Sequence, residues 1–254
     1  MKIISLNVNQ FLGKGCPQGI SKENRLRINE KILSLENKNK LYDYLEQNTN
    51  NLIFLHEFPS GKLRTSITDE FLKELKEKYT VFVPKNEKAN FMTIAITKSD
   101  NWEIDTEIYN YNESCGLFLN RFLPLKNGNL YVTGIHIPAI DIIKDGKIAP
   151  NKEEAIDFWN DVIKYFKPTK NHILIGDFNV DADGTRQKNK YNILCQIARD
   201  VWLEYGSGDG NTFVGNTRVD YAFASKNIKL ENMRNIKSVL DFCLSDHCAI
   251  ELIV

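Results

Sequence analysis

The sequence has little cysteine, and what it has is scattered. Cys16, Cys115, Cys195, Cys243 and Cys248 are odd in number and form no CxxC pair. That argues against a disulfide framework or a thiolate zinc site, and a reducing, cytoplasmic compartment is expected. Net charge is missing too: Lys plus Arg and Asp plus Glu both total 33, so bulk charge offers no argument for a polyanionic partner. There is no long hydrophobic run. The opening MKIISLNVNQ carries only a short apolar stretch before Asn7, and is expected to be a first strand, not a signal peptide or membrane span. No Gly/Ser/Pro linker, low-complexity tract or internal repeat divides the chain, so residues 1–254 are expected to form a single, monomeric domain.

What remains is the composition of an ordinary globular protein, 42% hydrophobic and 26% charged, with ample material for a core. Charge is uneven locally. Residues 1–40 hold eight Lys/Arg against three Glu, and Arg186, Lys188 and Lys190 form a second basic patch; either could meet phosphates or be plain solvated surface. Short β-rich runs recur at Lys2–Val8, Leu52–Leu55, Thr80–Val83, Thr93–Thr97, Leu130–Ile135, His172–Ile175, Val219–Ala224 and Cys248–Val254. Helical periodicity predicts helices over Lys22–Gln47, Asp69–Tyr79, Glu153–Phe166 and Lys190–Arg199, the first broken by its polar middle, ENKNK. Strands and helices interleave without the strict alternation of a parallel α/β barrel, and a sheet-on-sheet core with helices outside fits at least as well.

The stretch ILIGDFNVD, residues 173–181, is an apolar run that ends in Gly176, Asp177 and Asn179. Strands use Asp and Asn little, and a buried carboxylate is costly without compensation. Other apolar runs end alike: IISLNVN in Asn7 and Asn9, LIFLHEFP in His56 and Glu57, YVTGIHIP in His136, RVDYAFAS around Asp220, and LSDHCAIELIV in Asp246 and His247. One polar strand end is punctuation; six of them suggest one converging site. Oxygen ligands without thiolates suit a hard cation such as Mg²⁺ or Mn²⁺, which neutralises phosphoryl oxygens, and an Asp beside a His fixes the imidazole tautomer. On a strand, His56 points away from Glu57 and is expected to be structural, like His172. Tyr109, Tyr111 and Phe118 could stack on bases, but packing is the simpler reading, as it is for Met92.

Taken in order, Asn7, LHE ending at Glu57, GIHIP around His136, GDFN at 176–179, RVDYAFAS around Asp220 and SDHCAI at 245–250 resemble the endonuclease/exonuclease/phosphatase superfamily, the DNase-I-like metal-dependent phosphoesterases. The motifs span residues 7 to 250. The resemblance implies an α/β (α+β) four-layer sandwich, two packed mixed β-sheets flanked by helices, with the site at one edge. Carried over residue by residue, it implies that Glu57, with Asn7 and Asp246, holds Mg²⁺ or Mn²⁺. Asp177 and Asn179 position the nucleophilic water and the scissile phosphate, His247 contacts that phosphate with Asp220 as its partner, and His136 and Asn9 meet the substrate.

Three departures count against a dedicated abasic-site repair enzyme: Asn9 where that branch has Asp, LHEFP in place of Gln-Glu-Thr-Lys, and His136 where it favours Tyr. The expected activity is a phosphodiesterase hydrolysing P–O bonds, in the first place a nuclease on DNA or RNA. A phosphatase or phosphodiesterase for a small or lipid phosphate (an inositol phosphate, a sphingomyelin-like lipid, a nucleotide) is the alternative, and a non-catalytic binding protein on the same fold the third reading. Segments Gln10–Gly19, Ile137–Pro150 and Ala182–Lys190 directly follow site motifs and are expected to be specificity loops.

Overall fold

A computed structural model of the chain describes residues 1–11, 35–48, 51–84, 89–107, 119–139, 152–181, 187–241 and 244–254. The strands are β1 (Lys2–Asn7), β2 (Leu52–Pro59), β3 (Thr80–Phe82), β4 (Phe91–Thr97), β5 (Glu103–Ile104), β6 (Phe122–Asn127), β7 (Leu130–His136), β8 (Asn171–Asp177), β9 (Arg199–Asp200), β10 (Asp220–Ala224), β11 (Asn232–Ile236) and β12 (Ala249–Ile253). They form two six-stranded sheets, ordered β11-β12-β1-β2-β4-β3 and β5-β6-β7-β8-β10-β9. Each sheet is mixed: β1 runs parallel to β2 and β7 parallel to β8, while the other pairs are antiparallel.

Period-2 alternation sorts the apolar side chains between two faces. Ile3, Phe54 and Ala95 of the first sheet meet Val132, Ile173, Ile175 and Ala222 of the second in a central layer. On its other face the first sheet packs Ile4, Ile53 and Ile94 against α1 (Leu35–Gln47) and α2 (Ser66–Lys78) through Leu41, Leu45, Phe71 and Leu75. The second sheet packs Ile135, Leu174 and Phe223 against α3 (Lys152–Tyr165) and α4 (Lys188–Ile197) through Phe158, Trp159 and Leu194. Helix, sheet, sheet and helix make the expected four-layer sandwich. Two short helices, α5 (Val201–Tyr205) and α6 (Ser238–Asp241), complete the described residues. No described helix is long and apolar enough to cross a membrane.

One local expectation is corrected. ENKNK, residues 36–40, does not break a helix but forms the first turns of α1. Glu and Lys favour helix, and Leu41 and Leu45 dock the helix on the sheet. Residues 22–34 lie outside the described residues.

His172 and His56 are structural and fully buried. His172 accepts the Lys167 N–H at Nδ1, meets Thr133 Oγ1 at Nε2 and stacks on Phe166; His56 bridges Ser5 and Thr93. Burial holds both at a pKa of about 3, against an ordinary 6.5, with the Lys167 charge adding to His172 and the His247 charge to His56. The unfolded chain therefore binds more protons than the folded one between about pH 3 and 6.5. Their contribution to stability falls as pH drops through that window, at up to about 1.4 kcal/mol per pH unit for each histidine. Urea unfolding at pH 7, 6 and 5 should show His172→Gln losing less stability on acidification than the parent chain, by up to about 1.4 kcal/mol per pH unit; parallel losses in the two proteins would refute the buried neutral state.

Candidate active site

The same alternation places the polar strand ends on one face. Val132, Ile173, Ile175 and Ala222 face the opposite sheet, so two residues along from the last of each, or beyond Gly134, come His136, Asp177 and Asp220. These three are neighbours in register: His136 pairs with Asp177 on β7–β8, and Asp220 pairs with Asp177 on β10–β8. From the first sheet, Asn7 closes β1 beside His56. Glu57 reaches the site through a β-bulge. Between Leu55 and Phe58 the β2–β4 register gains one residue, and Glu57 takes φ 52°, a conformation few non-glycine residues adopt. Phe58 thereby stays in the helix-side core while Glu57 turns toward the site. Gly176 is required where it stands. Its φ is 148°, and a Cβ there would overlap the Ile135 carbonyl oxygen.

Asn7 Nδ2 donates to Asp177 Oδ2 at 3.0 Å and lies 3.5 Å from Glu57 Oε1, while Asn7 Oδ1 accepts the Asn9 N–H at 2.8 Å. Asn7 thus turns its nitrogen toward the carboxylates. Asn179 is fixed by its N–H to Asp177 Oδ1 (2.8 Å) and its Nδ2 to the Ile137 carbonyl (2.8 Å) and Asp177 Oδ2 (3.2 Å), with φ 48°. His247 Nδ1 meets Asp220 Oδ2 at 2.8 Å, and its Nε2 lies 4.0 Å from Asp177 Oδ2 and 3.9 Å from Asp246 Oδ1. His136 Nε2 lies 3.3 Å from Glu57 Oε1 and 3.8 Å from Asp177 Oδ2. Two sets of ligand atoms, Glu57–His136–Asp177 and Asp177–Asp220–His247, therefore lie close enough to hold an ion and share Asp177.

Burial raises the Asp177 pKa above the usual carboxylate range, the Asp220 and Glu57 charges add to it, and His247 and the Asn179 N–H oppose it. Asp246 is lifted to about 6, again first by burial and then by Glu57 and Asp220 against the pull of His247. Burial alone would depress His247, but Asp220, Asp177 and Asp246 outweigh it and lift the imidazole to about 10, so it is a cation at neutral pH. His136 goes the other way: burial first, then the charges of Arg121, His56 and His247, hold it neutral. Carboxyl groups held this high mark negative charge without enough positive charge between them.

Two residues to which the sequence assigns no role in the site also reach it, Gln10 being expected only as the first residue of a specificity loop. Gln10, left-handed at φ 53°, donates Nε2 to Glu57 Oε2 at 2.6 Å. Arg121, just before β6, lies over the Phe91 ring (4.3 Å), which also packs on His136, and its guanidinium feels both Glu57 and Asp177. Neither type nor spacing marks them; only the β6–β7 pairing of Phe122 with Ile135 brings Arg121 near His136. Arg218, two residues before Asp220, forms a two-pronged ion pair with Asp200 (3.0 and 2.8 Å), and Asp220 pairs with His247. Tyr109, Tyr111, Phe118 and Arg186, the basic residues between 14 and 31, and residues 12–19, 140–150 and 182–186 of the expected specificity loops lie outside the described residues.

No family model matches the sequence, and no curated protein matches it. Solved structures do. An endonuclease/exonuclease/phosphatase family protein from Leptotrichia buccalis is 17% identical, with 100% of this chain and 99% of that one covered at a TM-score of 0.58. The chain has the endonuclease/exonuclease/phosphatase fold. A Neisseria 3′ phosphatase bound to a product DNA hairpin (13% identical, 99% and 98% covered, TM-score 0.66) shares it. So does an AP endonuclease from Archaeoglobus fulgidus (13% identical, 100% and 98% covered, TM-score 0.63).

On this fold the imidazolium of His247 depends on one carboxylate above all. Asp220→Asn should lower the His247 pKa by at least about one unit, because burial then meets less opposition. Ring-nitrogen NMR titration of the chelator-treated protein reads this directly, and an unchanged titration would refute the pairing.

Proposed function

We propose that the protein is a Mg²⁺- or Mn²⁺-dependent phosphodiesterase that hydrolyses P–O bonds in nucleic acid, a nuclease. The observation that carries this reading is the position of Asp177, whose carboxylate belongs at once to the Glu57 side of the site and to the His247–Asp220 side. The donor set fits a hard cation: carboxylates, an amide and an imidazole without thiolate, around carboxyl groups that burial and mutual repulsion push up. Glu57 and Asp177, with Asp246 beside them, are the residues that would hold the ion, which would neutralise phosphoryl oxygens.

The chain's own groups divide the remaining tasks. Asp177 accepts hydrogen bonds from Asn7 and Asn179, which fix its carboxylate where it would orient water beside the ion. Asn179, clamped to the Ile137 carbonyl, has no freedom to follow the substrate and so sets a fixed position. His247, cationic and anchored through Nδ1, directs Nε2 at the phosphate and stabilises charge as it develops on the oxygens. His136, neutral, offers an N–H without adding charge. Asn7 fixes the spacing between Glu57 and Asp177 by donating to the carboxylates rather than by ligating. The fold it shares with a DNA-bound 3′ phosphatase and an AP endonuclease supports nucleic acid as the substrate class.

Asp177→Asn and His247→Ala, assayed with Mg²⁺ on single- and double-stranded DNA, RNA and abasic duplex, should each lose at least about 10²-fold in kcat/KM. Chelator should abolish activity. Near-normal turnover by either variant overturns the site. Cleavage confined to inositol phosphates or sphingomyelin, with an affinity flat in salt, overturns the substrate class, since binding to a polynucleotide weakens steeply as salt rises.

A further inference from the structure

Glu57 does not present two equivalent oxygens. Oε2 takes a short bond from Gln10 Nε2 at 2.6 Å, whereas among the described residues Oε1 has longer neighbours, Asn7 Nδ2 at 3.5 Å and His136 Nε2 at 3.3 Å. The assignment of the Gln10 amide follows from chemistry: a carboxylate offers no donor, so the amide must turn its nitrogen, not its oxygen, toward it.

The geometry behind this bond is fixed from both sides. Asn9, Gln10 and Phe11 form a left-handed turn with φ of 45°, 53° and 61°. The Asn9 N–H is held by Asn7 Oδ1, and the Phe11 N–H returns to the Val8 carbonyl at 2.8 Å. The Phe11 ring packs edge-on against Phe58 (5.3 Å) and Phe71 (5.8 Å), plugging the turn into the helix-side core. Gln10 itself is buried. Three consecutive left-handed non-glycine residues are costly, and the turn keeps them where they bring one amide to one carboxylate oxygen.

We propose that Gln10 is a cation-selectivity residue: by occupying Glu57 Oε2 it leaves Oε1 alone to a divalent ion, and so favours Mg²⁺ or Mn²⁺ over Ca²⁺. The inference rests on the reading of Glu57 as a metal-holding residue. The reason is coordination chemistry. Ca²⁺ accepts a bidentate carboxylate in a large, flexible shell of six to eight oxygens. Mg²⁺ demands a compact octahedron and takes carboxylates one oxygen at a time. A glutamate with one oxygen already hydrogen-bonded is suited to the second ion and not to the first.

The test is calorimetric titration of the full chain, without substrate, with Mg²⁺, Mn²⁺ and Ca²⁺. Gln10→Asn tolerates the left-handed backbone but is one methylene too short to reach Oε2; Gln10→Met keeps the length and lacks the donor. Both should reduce the preference for Mg²⁺ over Ca²⁺ by about tenfold or more, within the 10–100-fold range typical of residues that orient a ligand. Thermal unfolding of each variant identifies any that fails to fold, and the other then decides. Glu57→Gln separates the two levels of the argument. If it leaves divalent binding intact, the metal-holding role of Glu57 is wrong. If it abolishes binding while the Gln10 variants keep the wild-type selectivity, the Gln10 inference alone is wrong. A wild-type chain that binds Ca²⁺ more tightly than Mg²⁺ also overturns it.

Discussion

Asp177 sits at the carboxyl end of a central strand, buried, between the last residue of β7, His136, and the first residue of the antiparallel β10, Asp220. A carboxylate taken out of water this far must be compensated or neutralised. Every nearby polar contact can be understood as a response to that demand. Asn7 and Asn179 donate to it, His247 is held cationic within reach, and the bulge at Glu57 adds a second acid that makes compensation by protein groups incomplete. The remaining deficit of positive charge is what a divalent ion and a phosphate-bearing ligand would share.

Strain accompanies that arrangement. Among the described residues, seven non-glycine positions have positive φ, and five of them, Asn9, Gln10, Phe11, Glu57 and Asn179, lie at or beside the site. Such conformations cost of the order of 1 kcal/mol each and persist only where surroundings over-determine them. Here the determinants are visible: the aromatic plug of Phe11, the docking of Phe58 behind the bulge, and the clamp of Asn179 on Ile137.

Much of this was legible beforehand because strand chemistry has a period of two. An apolar run that stops at a polar residue on the inward face projects that residue over the edge of the core, so Asn7, His136, Asp177 and Asp220 read together, whereas Glu57 departs from the alternation and joins them only through the bulge. The illegible parts have physical reasons. β6 carries Pro124 in its middle, which reads as a breaker, yet pairs with β7 along its length and with β5 only at Leu125 and Lys126. β11, NMRNI, is a polar edge strand with a single buried side chain and no apolar alternation to reveal it. A bulge and a left-handed turn leave no mark in residue type, so the route of Gln10 to Glu57 was hidden, and Arg121 becomes a neighbour of the site only once β6 and β7 are paired. ENKNK is polar, but its Glu and Lys residues favour helix, and polarity alone does not end one.

The two sheets meet across a layer with little slack, and Gly134 is the clearest sign of it: any side chain there would run into the Phe54 ring crossing from the other sheet. Half of the polar cluster rides on one sheet and half on the other. The seam between them therefore spaces the two halves of the cluster, and the Phe54 ring on the bare backbone of Gly134 leaves no room in it for a further side chain. Widening that seam by the bulk of a methyl group would pull Asn7 and Glu57 away from Asp177 without altering any of the three, so the geometry of the polar cluster is hostage to a purely apolar contact.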